Sequence, residues 1–151
     1  MTLLDSYVYE TDLEWTGGRS ARVSSDGLPA LDVSAPLEFS GEPGLWTPEH
    51  LLVAATTSCL MTTFLAIAEI SKLSVASYES KAIARLQKVP EEGYRFTEIT
   101  LIPQIGVAEE DREKAQRMLA KAEKNCFISK SLRATVQVEA KILIALPTGI
   151  D

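Results

Sequence analysis

Residues 47–74 read TPEHLLVAATTSCLMTTFLAIAEISKLS, and this stretch decides the fold. No charged residue occurs in 51–68. The tripeptide Thr47-Pro48-Glu49 is a helix start: threonine caps free N–H groups, proline suits the first helical position, and a carboxylate suits the positive end of the helix dipole. The stretch therefore predicts one long, apolar helix that ends near Ser71.

A charge-free run of this length is close to that of a membrane span. However, it contains five serine or threonine residues, and its flanks are acidic, so the positive-inside signal is missing. A helix that is apolar on nearly all sides can instead be buried inside a protein. Because one chain of 151 residues can hardly surround such a helix, we expect a dimer that encloses it, and no membrane.

Strand-like patterns lie on both sides of this helix. Turn signals at Gly17-Gly18 and at Ser25-Asp26-Gly27 separate the runs before it, and Pro90–Gly93 turns a hairpin after it. The predicted strand runs are 7–15, 19–23, 28–33, 75–88, 94–105 and 135–146.

A second, amphipathic helix is predicted over 108–124. Its apolar stripe follows helical spacing, and Cys126 continues that stripe just past the helix end; the stripe residues are Ala115, Met118, Leu119 and Ala122. The chain as a whole predicts an α+β fold with antiparallel sheets around a long central helix, in a single domain over 1–151.

Composition narrows the classes of function. The net charge is −6, from 15 basic and 21 acidic residues, and no basic stripe points to nucleic acid. The single histidine, His50, excludes a multi-histidine metal site, so no metal or cofactor is predicted. The N-terminus has neither the positive region nor the apolar run of a secretory signal, so the expected compartment is the cytoplasm.

The two cysteines, Cys59 and Cys126, are too few for a disulfide scaffold. Cys59 lies half-way along the apolar helix. A free cysteine there is often only a small buried hydrophobe, and that reading stays open on the spacing alone. Likewise, Arg19 reads as a solvated turn residue and Glu49 as a favourable first-turn carboxylate.

Several motifs, taken in order, resemble the OsmC/Ohr family of organic hydroperoxide reductases over residues 10–145. They are Thr16-Gly17-Gly18-Arg19, Ser24-Ser25-Asp26-Gly27, Thr47-Pro48-Glu49 leading to Ser58-Cys59, and Lys124-Asn125-Cys126-Phe127-Ile128-Ser129. The resemblance implies that Cys59 is the peroxidatic cysteine, that Cys126 is the resolving cysteine, and that Arg19 with Glu49 activates Cys59. It also implies an intertwined homodimer with its active sites at the subunit interface.

The residue types suit that chemistry. A thiolate attacks the peroxide, a nearby guanidinium favours the thiolate, and arginine keeps its charge at working pH. Glu49 and Cys59, however, are separated by about 15 Å of rise and by about 80° around a straight helix. Either the helix is broken between them, or Glu49 acts on the partner's Cys59, and we predict the second.

The sequence thus predicts a peroxidase that converts organic hydroperoxides to alcohols through a Cys59 sulfenic acid and a Cys59–Cys126 disulfide. An external dithiol would reduce the disulfide, and a lipoyl-type dithiol is one candidate. Two other functions stay open: a dimer that binds a small apolar ligand without catalysis, and a thiol redox sensor.

Overall fold

The computed structural model describes residues 2–145. The chain divides into two compact units whose boundary in sequence lies between Leu52 and Val53. The prediction of a single domain over the whole chain stays a prediction.

The first unit holds a three-stranded antiparallel sheet in the order β1-β2-β3. The strands are β1 (Asp12–Gly17), β2 (Ser20–Ser24) and β3 (Leu31–Ser34). Gly17 and Gly18 have φ values of 125° and 54°, a region that glycine adopts without steric cost. The Gly-Gly signal is therefore confirmed as the β1–β2 hairpin turn, and Arg19 is the last residue of that turn.

Residues 7–11, the first part of the predicted strand run 7–15, form no strand. Strand propensity is realised only where a neighbouring strand pairs with the segment, and no described strand does so here. The segment is held instead by single bonds, such as the Ser25 hydroxyl donating to the Glu10 carbonyl at 2.8 Å. The loop after β3 contains one 3₁₀ turn, Leu37–Phe39.

The predicted long helix is confirmed as α1 (Pro48–Ile70), 23 residues without a break. Thr47 caps it, because its hydroxyl oxygen accepts the backbone N–H of His50 at 3.0 Å. Within one chain α1 buries only a narrow stripe, Thr56, Leu60, Phe64 and Ala68. Its length and composition would also suit a membrane span, with a mean hydropathy of 1.9.

The second unit is built on a long antiparallel hairpin, β4 (Ser77–Val89) and β5 (Gly93–Val107). The predicted last strand is present as two short strands, β6 (Thr135–Val138) and β7 (Lys141–Ile144). Both pair in parallel with β5, so the second sheet is mixed where a purely antiparallel sheet was predicted.

Pro103 explains the division of the last strand. Glu98 pairs with Thr135, and Gln104 pairs with Lys141, so the register is the same on both sides of the gap. Pro103 lies opposite the gap and has no N–H to donate to the ladder. The strands β6 and β7 therefore continue one another along β5 and are separated where Pro103 of β5 cannot donate a hydrogen bond.

The second predicted helix is confirmed as α2 (Arg112–Asn125), preceded by a 3₁₀ turn at Glu109–Asp111. A further turn of helix, α3 (Phe127–Lys130), follows directly. The core of this unit joins α1, β5 and α2 through buried side chains, among them Leu60, Phe64, Ile99, Leu101, Ile105, Met118 and Leu119.

Candidate active site

The second unit brings the two cysteine side chains together. Cys59 lies in α1, and Cys126 is the single residue between α2 and α3. The two thiols interact, since Cys126 lowers the pKa of Cys59 and Cys59 raises the pKa of Cys126. Both cysteines are free thiols in this structure, and Cys126 is buried.

The apolar stripe of α2 places Cys126 at this point. The stripe is buried as predicted, and Cys126, one turn beyond Ala122, is only 1% exposed. Its backbone leaves the helical region, with φ −70° and ψ 112°, so that α2 ends and α3 starts in a new direction.

Cys59 is the more acidic thiol of the pair. Partial burial raises the pKa of Cys59, but hydrogen bonds from the Ile128 N–H, the Cys126 thiol, the Thr63 hydroxyl and the Phe127 N–H outweigh it and hold that pKa below its ordinary value. The Thr63 hydroxyl lies 3.9 Å from the sulfur, one helical turn along α1. These donors therefore favour the thiolate form of Cys59.

Cys126 is shifted in the opposite direction. Burial raises its pKa, and the neighbouring Cys59 sulfur raises it further. The Ser129 hydroxyl donates to the Cys126 sulfur at 3.3 Å, and this bond together with the Ser129 N–H only partly offsets those effects. The pKa values of the two thiols are thus shifted apart, with that of Cys59 lowered and that of Cys126 raised.

Two further polar groups lie close to this pair. The Tyr78 hydroxyl is buried without a hydrogen-bond partner in the described part of the chain, and burial, followed by the charge of Cys126, raises the pKa of Tyr78 to about 12. Glu123 borders a small cavity of about 60 Å³ beside Ser129. Burial raises the pKa of Glu123.

The first unit holds the other two predicted site residues. Arg19 is fixed through its backbone, because its carbonyl accepts the Ser34 hydroxyl at 3.2 Å and the Ala35 N–H at 3.3 Å. Its side chain is exposed and forms no ion pair within residues 2–145. Glu49 has one buried carboxylate oxygen with no hydrogen-bond partner among the described residues.

The structure thus brings Cys59 and Cys126 near enough to shift each other's pKa, whereas the joining of Arg19 and Glu49 to them stays a prediction. Because α1 is unbroken, the broken-helix alternative for Glu49 is removed. Among the described residues no group of three or more histidine, cysteine or acidic side chains could hold a metal ion.

The family model described as OsmC-like protein matches residues 41–141. The chain belongs to the OsmC-like family. The resemblance seen in the sequence motifs is therefore confirmed.

Curated relatives of this OsmC-like protein carry informative names. It is 28% identical over 138 residues to the organic hydroperoxide resistance protein-like 1 of Staphylococcus saprophyticus, covering 90% of this chain and 96% of that one. It is 26% identical over 128 residues to the organic hydroperoxide resistance protein OhrB of Bacillus subtilis, covering 83% and 91%. These names support a role of the family in peroxide detoxification.

Solved structures agree with the fold. An OsmC-like protein of unknown function from Vibrio cholerae superposes with a TM-score of 0.81 at 25% identity, covering 89% of this chain and 99% of that one. An organic hydroperoxide resistance protein OsmC from Legionella pneumophila gives a TM-score of 0.71 at 28% identity, covering 91% and 99%. The α+β fold of the OsmC/Ohr family is thereby confirmed.

The sequence motifs of this OsmC-like protein did not predict several residues that lie around the two thiols. Thr63 follows Cys59 by four residues, and Ser129 follows Cys126 by three. Residues at these spacings lie on the same side of a helix, so this part of the site could have been predicted from the sequence. The N–H groups of Phe127 and Ile128 leave no mark in the sequence, because every non-proline residue carries one. Tyr78 comes from a strand distant in sequence from both cysteines.

Proposed function

We propose that the protein is a cysteine-based peroxidase that reduces organic hydroperoxides to alcohols. The observation that carries the proposal is the pair of free, neighbouring thiols, in which the pKa of Cys59 is lowered and that of Cys126 is raised. Peroxides are attacked by thiolates, and a thiol held against the attacking sulfur is placed to capture the oxidised product. The names of the curated relatives point to the same chemistry.

The cycle has three steps. The Cys59 thiolate attacks one peroxide oxygen, the O–O bond breaks, and the alcohol leaves with a proton while Cys59 becomes a sulfenic acid. Cys126 then attacks that sulfur, so that a disulfide forms and water leaves. An external dithiol, for which a lipoyl-type compound is one candidate, reduces the disulfide by thiol exchange.

In this proposal Arg19 and Glu49 activate Cys59. The guanidinium stays positive at working pH and favours the thiolate, while the carboxylate fixes the plane of the guanidinium. Both groups can accept a further partner. The Arg19 side chain is exposed, and one carboxylate oxygen of Glu49 is buried with no hydrogen-bond partner among residues 2–145. An arginine–carboxylate pair would satisfy that oxygen.

We further propose an intertwined homodimer in which Glu49 acts on the partner's Cys59. Ten residues of unbroken helix separate the two along α1, a rise of about 15 Å, so one straight helix cannot bring them together. A second copy would also cover the apolar surface of α1, which one chain leaves largely uncovered. The proposed compartment is the cytoplasm, with no nucleic acid, membrane, metal or cofactor in the reaction.

The test is hydroperoxide consumption by the purified protein. With a dithiol such as dithiothreitol, the parent protein should consume cumene or tert-butyl hydroperoxide over many turnovers, and Cys59→Ser should consume none. Cys126→Ser is the matched control, because it keeps Cys59: without a dithiol it should still reduce about one equivalent of hydroperoxide and then stop. Consumption that survives in Cys59→Ser would remove the mechanism.

The same experiment separates the two other functions. A redox sensor would oxidise once with hydroperoxide and then turn over poorly with every dithiol. A ligand-binding protein with bystander cysteines would alkylate slowly at Cys59 near neutral pH, and Arg19→Ala would leave that rate unchanged. Fast alkylation that Arg19→Ala slows, together with sustained turnover, is the result expected for the peroxidase.

A further inference from the structure

We propose that Ser129 is a positioning residue for Cys126, which it prepares to attack the oxidised Cys59. The inference rests on the proposed peroxidase function and adds to it a residue that acts in the second step only. In this inference the Ser129 hydroxyl acts on Cys126, which attacks the sulfenic acid, and not on Cys59, which reacts with the peroxide.

The local geometry fixes Ser129 against Cys126. The Ser129 hydroxyl donates to the Cys126 sulfur at 3.3 Å. The Ser129 hydroxyl and backbone N–H both lower the pKa of Cys126. Both residues belong to one turn, which the Lys130 N–H closes by donating to the Cys126 carbonyl at 3.1 Å. The turn thus holds the donor and the acceptor together without help from a distant element.

The hydrogen bond between these residues has a defined direction. The Ser129 hydroxyl donates to the Cys126 sulfur, and Cys126 in turn interacts with Cys59. A donor to the Cys126 sulfur stabilises the negative charge that builds there as its proton leaves. Because Cys126 is only 1% exposed, bulk water cannot take the place of the hydroxyl.

The second step is where this charge matters. The S–S bond forms as the S–O bond of the Cys59 sulfenic acid breaks, and the Cys126 proton leaves with the hydroxide as water. The Cys126 sulfur is oxidised and the Cys59 sulfur is reduced. In the first step the Cys126 sulfur forms and breaks no bond, so the Ser129 hydroxyl contributes little there.

The other titratable groups that face this position come from three elements. They are Cys59 on α1, Tyr78 on β4 and Glu123 on α2. A substitution of Ser129 removes no atom of these residues, and it acts on Cys59 only through Cys126. A shift in the pH dependence of disulfide formation without a matching shift in the first step would therefore report on Cys126.

The experiment follows the two steps separately in a single turnover. One equivalent of cumene hydroperoxide is added to the reduced protein; hydroperoxide loss reports the first step, and loss of the second thiol reports the disulfide. The variants are Ser129→Ala, which removes the hydroxyl, and Ser129→Thr, which keeps it. Ser131→Ala is the control, because Ser131 is exposed and donates to the Phe127 carbonyl in the same segment.

In Ser129→Ala we expect the first step to stay within about twofold of the parent and the second to slow about five- to tenfold at pH 7. The rate–pH profile of the second step should move to higher pH, and dimedone should trap more sulfenic acid. Ser129→Thr should restore most of the rate, and Ser131→Ala should match the parent. Circular dichroism confirms that each variant is folded.

A Ser129→Ala protein that forms the disulfide at the parent rate with the parent pH profile would overturn this inference and leave the peroxidase intact. Equal slowing of both steps in Ser129→Ala and Ser129→Thr would also overturn it, since that is the result of disturbed packing. A parent protein that forms no sulfenic acid would instead disprove the proposed function.

Discussion

The acidity of Cys59 depends on backbone groups as well as on side chains. Within the second unit, the N–H groups of Ile128 and Phe127 lower the pKa of Cys59, as do the Thr63 hydroxyl and the Cys126 thiol. A backbone donor can be deleted only by proline, which lacks the N–H. Position 127 tolerates such a change, since it is the first residue of α3 and Cys126 before it is already extended.

We therefore predict that Phe127→Pro raises the pKa of Cys59. Removing one hydrogen bond to a thiolate should slow alkylation of Cys59 by iodoacetamide at pH 7 by up to about tenfold, and the rate–pH profile should move to higher pH. The measurement is the alkylation rate from pH 5 to pH 10 in a Cys126→Ser background, so that a single thiol reacts.

Phe127→Ala is the matched control, because it removes the exposed ring and keeps the N–H. The rate–pH profile of Phe127→Ala should match that of the protein that keeps Phe127, both in the Cys126→Ser background. If Phe127→Pro and Phe127→Ala give the same profile, the Phe127 N–H does not stabilise the thiolate.

At the scale of single elements, the start of α1 depends on one cap. The Thr47 oxygen accepts the His50 N–H at 3.0 Å and lies 2.7 Å from Nδ1 of the same histidine. Thr47→Ala should lower the free energy of unfolding by about 1 kcal/mol, measured by urea denaturation at one fixed protein concentration. Thr47→Ser keeps the oxygen and should lose much less; equal losses would show that the cap contributes nothing.

The elements differ in how well the sequence predicts them. The start of α1 is readable because Thr47-Pro48-Glu49 combines three local signals. The division of the last strand is not readable, because its cause, Pro103, lies on a different strand and acts only after pairing. Residues 7–9 have strand propensity but no described partner strand, and the four residues of α3 are too few for any periodicity.

The candidate site divides in the same way. The contact between Cys59 and Cys126 was implied by family resemblance, and only the burial of Cys126 followed from helical spacing. Local spacing could have added Thr63 and Ser129. The amide donors and Tyr78 depend on how α3 and β4 pack, which no local pattern encodes.

At the scale of the whole molecule, α1 leaves an apolar surface uncovered by its own chain. Leu65 is 37% exposed there, and Ser58, Thr62 and Ala66 are exposed beside it. If a second copy covers this surface, sedimentation equilibrium should give twice 16.5 kDa for the parent. Leu65→Glu should shift the protein toward the monomer by placing a charge in the interface.

Gln116→Glu is the control for that substitution, because it adds the same charge on an exposed position of α2. It should stay dimeric at every concentration at which the parent does. A parent that sediments as a monomer, or a Leu65→Glu protein that dimerises as strongly as the parent, would contradict the proposed covering of α1.

The positions of Cys59 and Cys126 also bear on how the chain resists heat. A bond between them would tie the middle of α1 to the end of α2 and enclose the entire β4–β5 hairpin within a covalent ring. Closing a ring of this size restricts the denatured ensemble and is worth roughly 4 kcal/mol. The oxidised protein should therefore melt at a clearly higher temperature than the reduced one. In a mixed sample, calorimetry should then show two transitions, and their relative areas would give the fraction of the protein that still carries the disulfide.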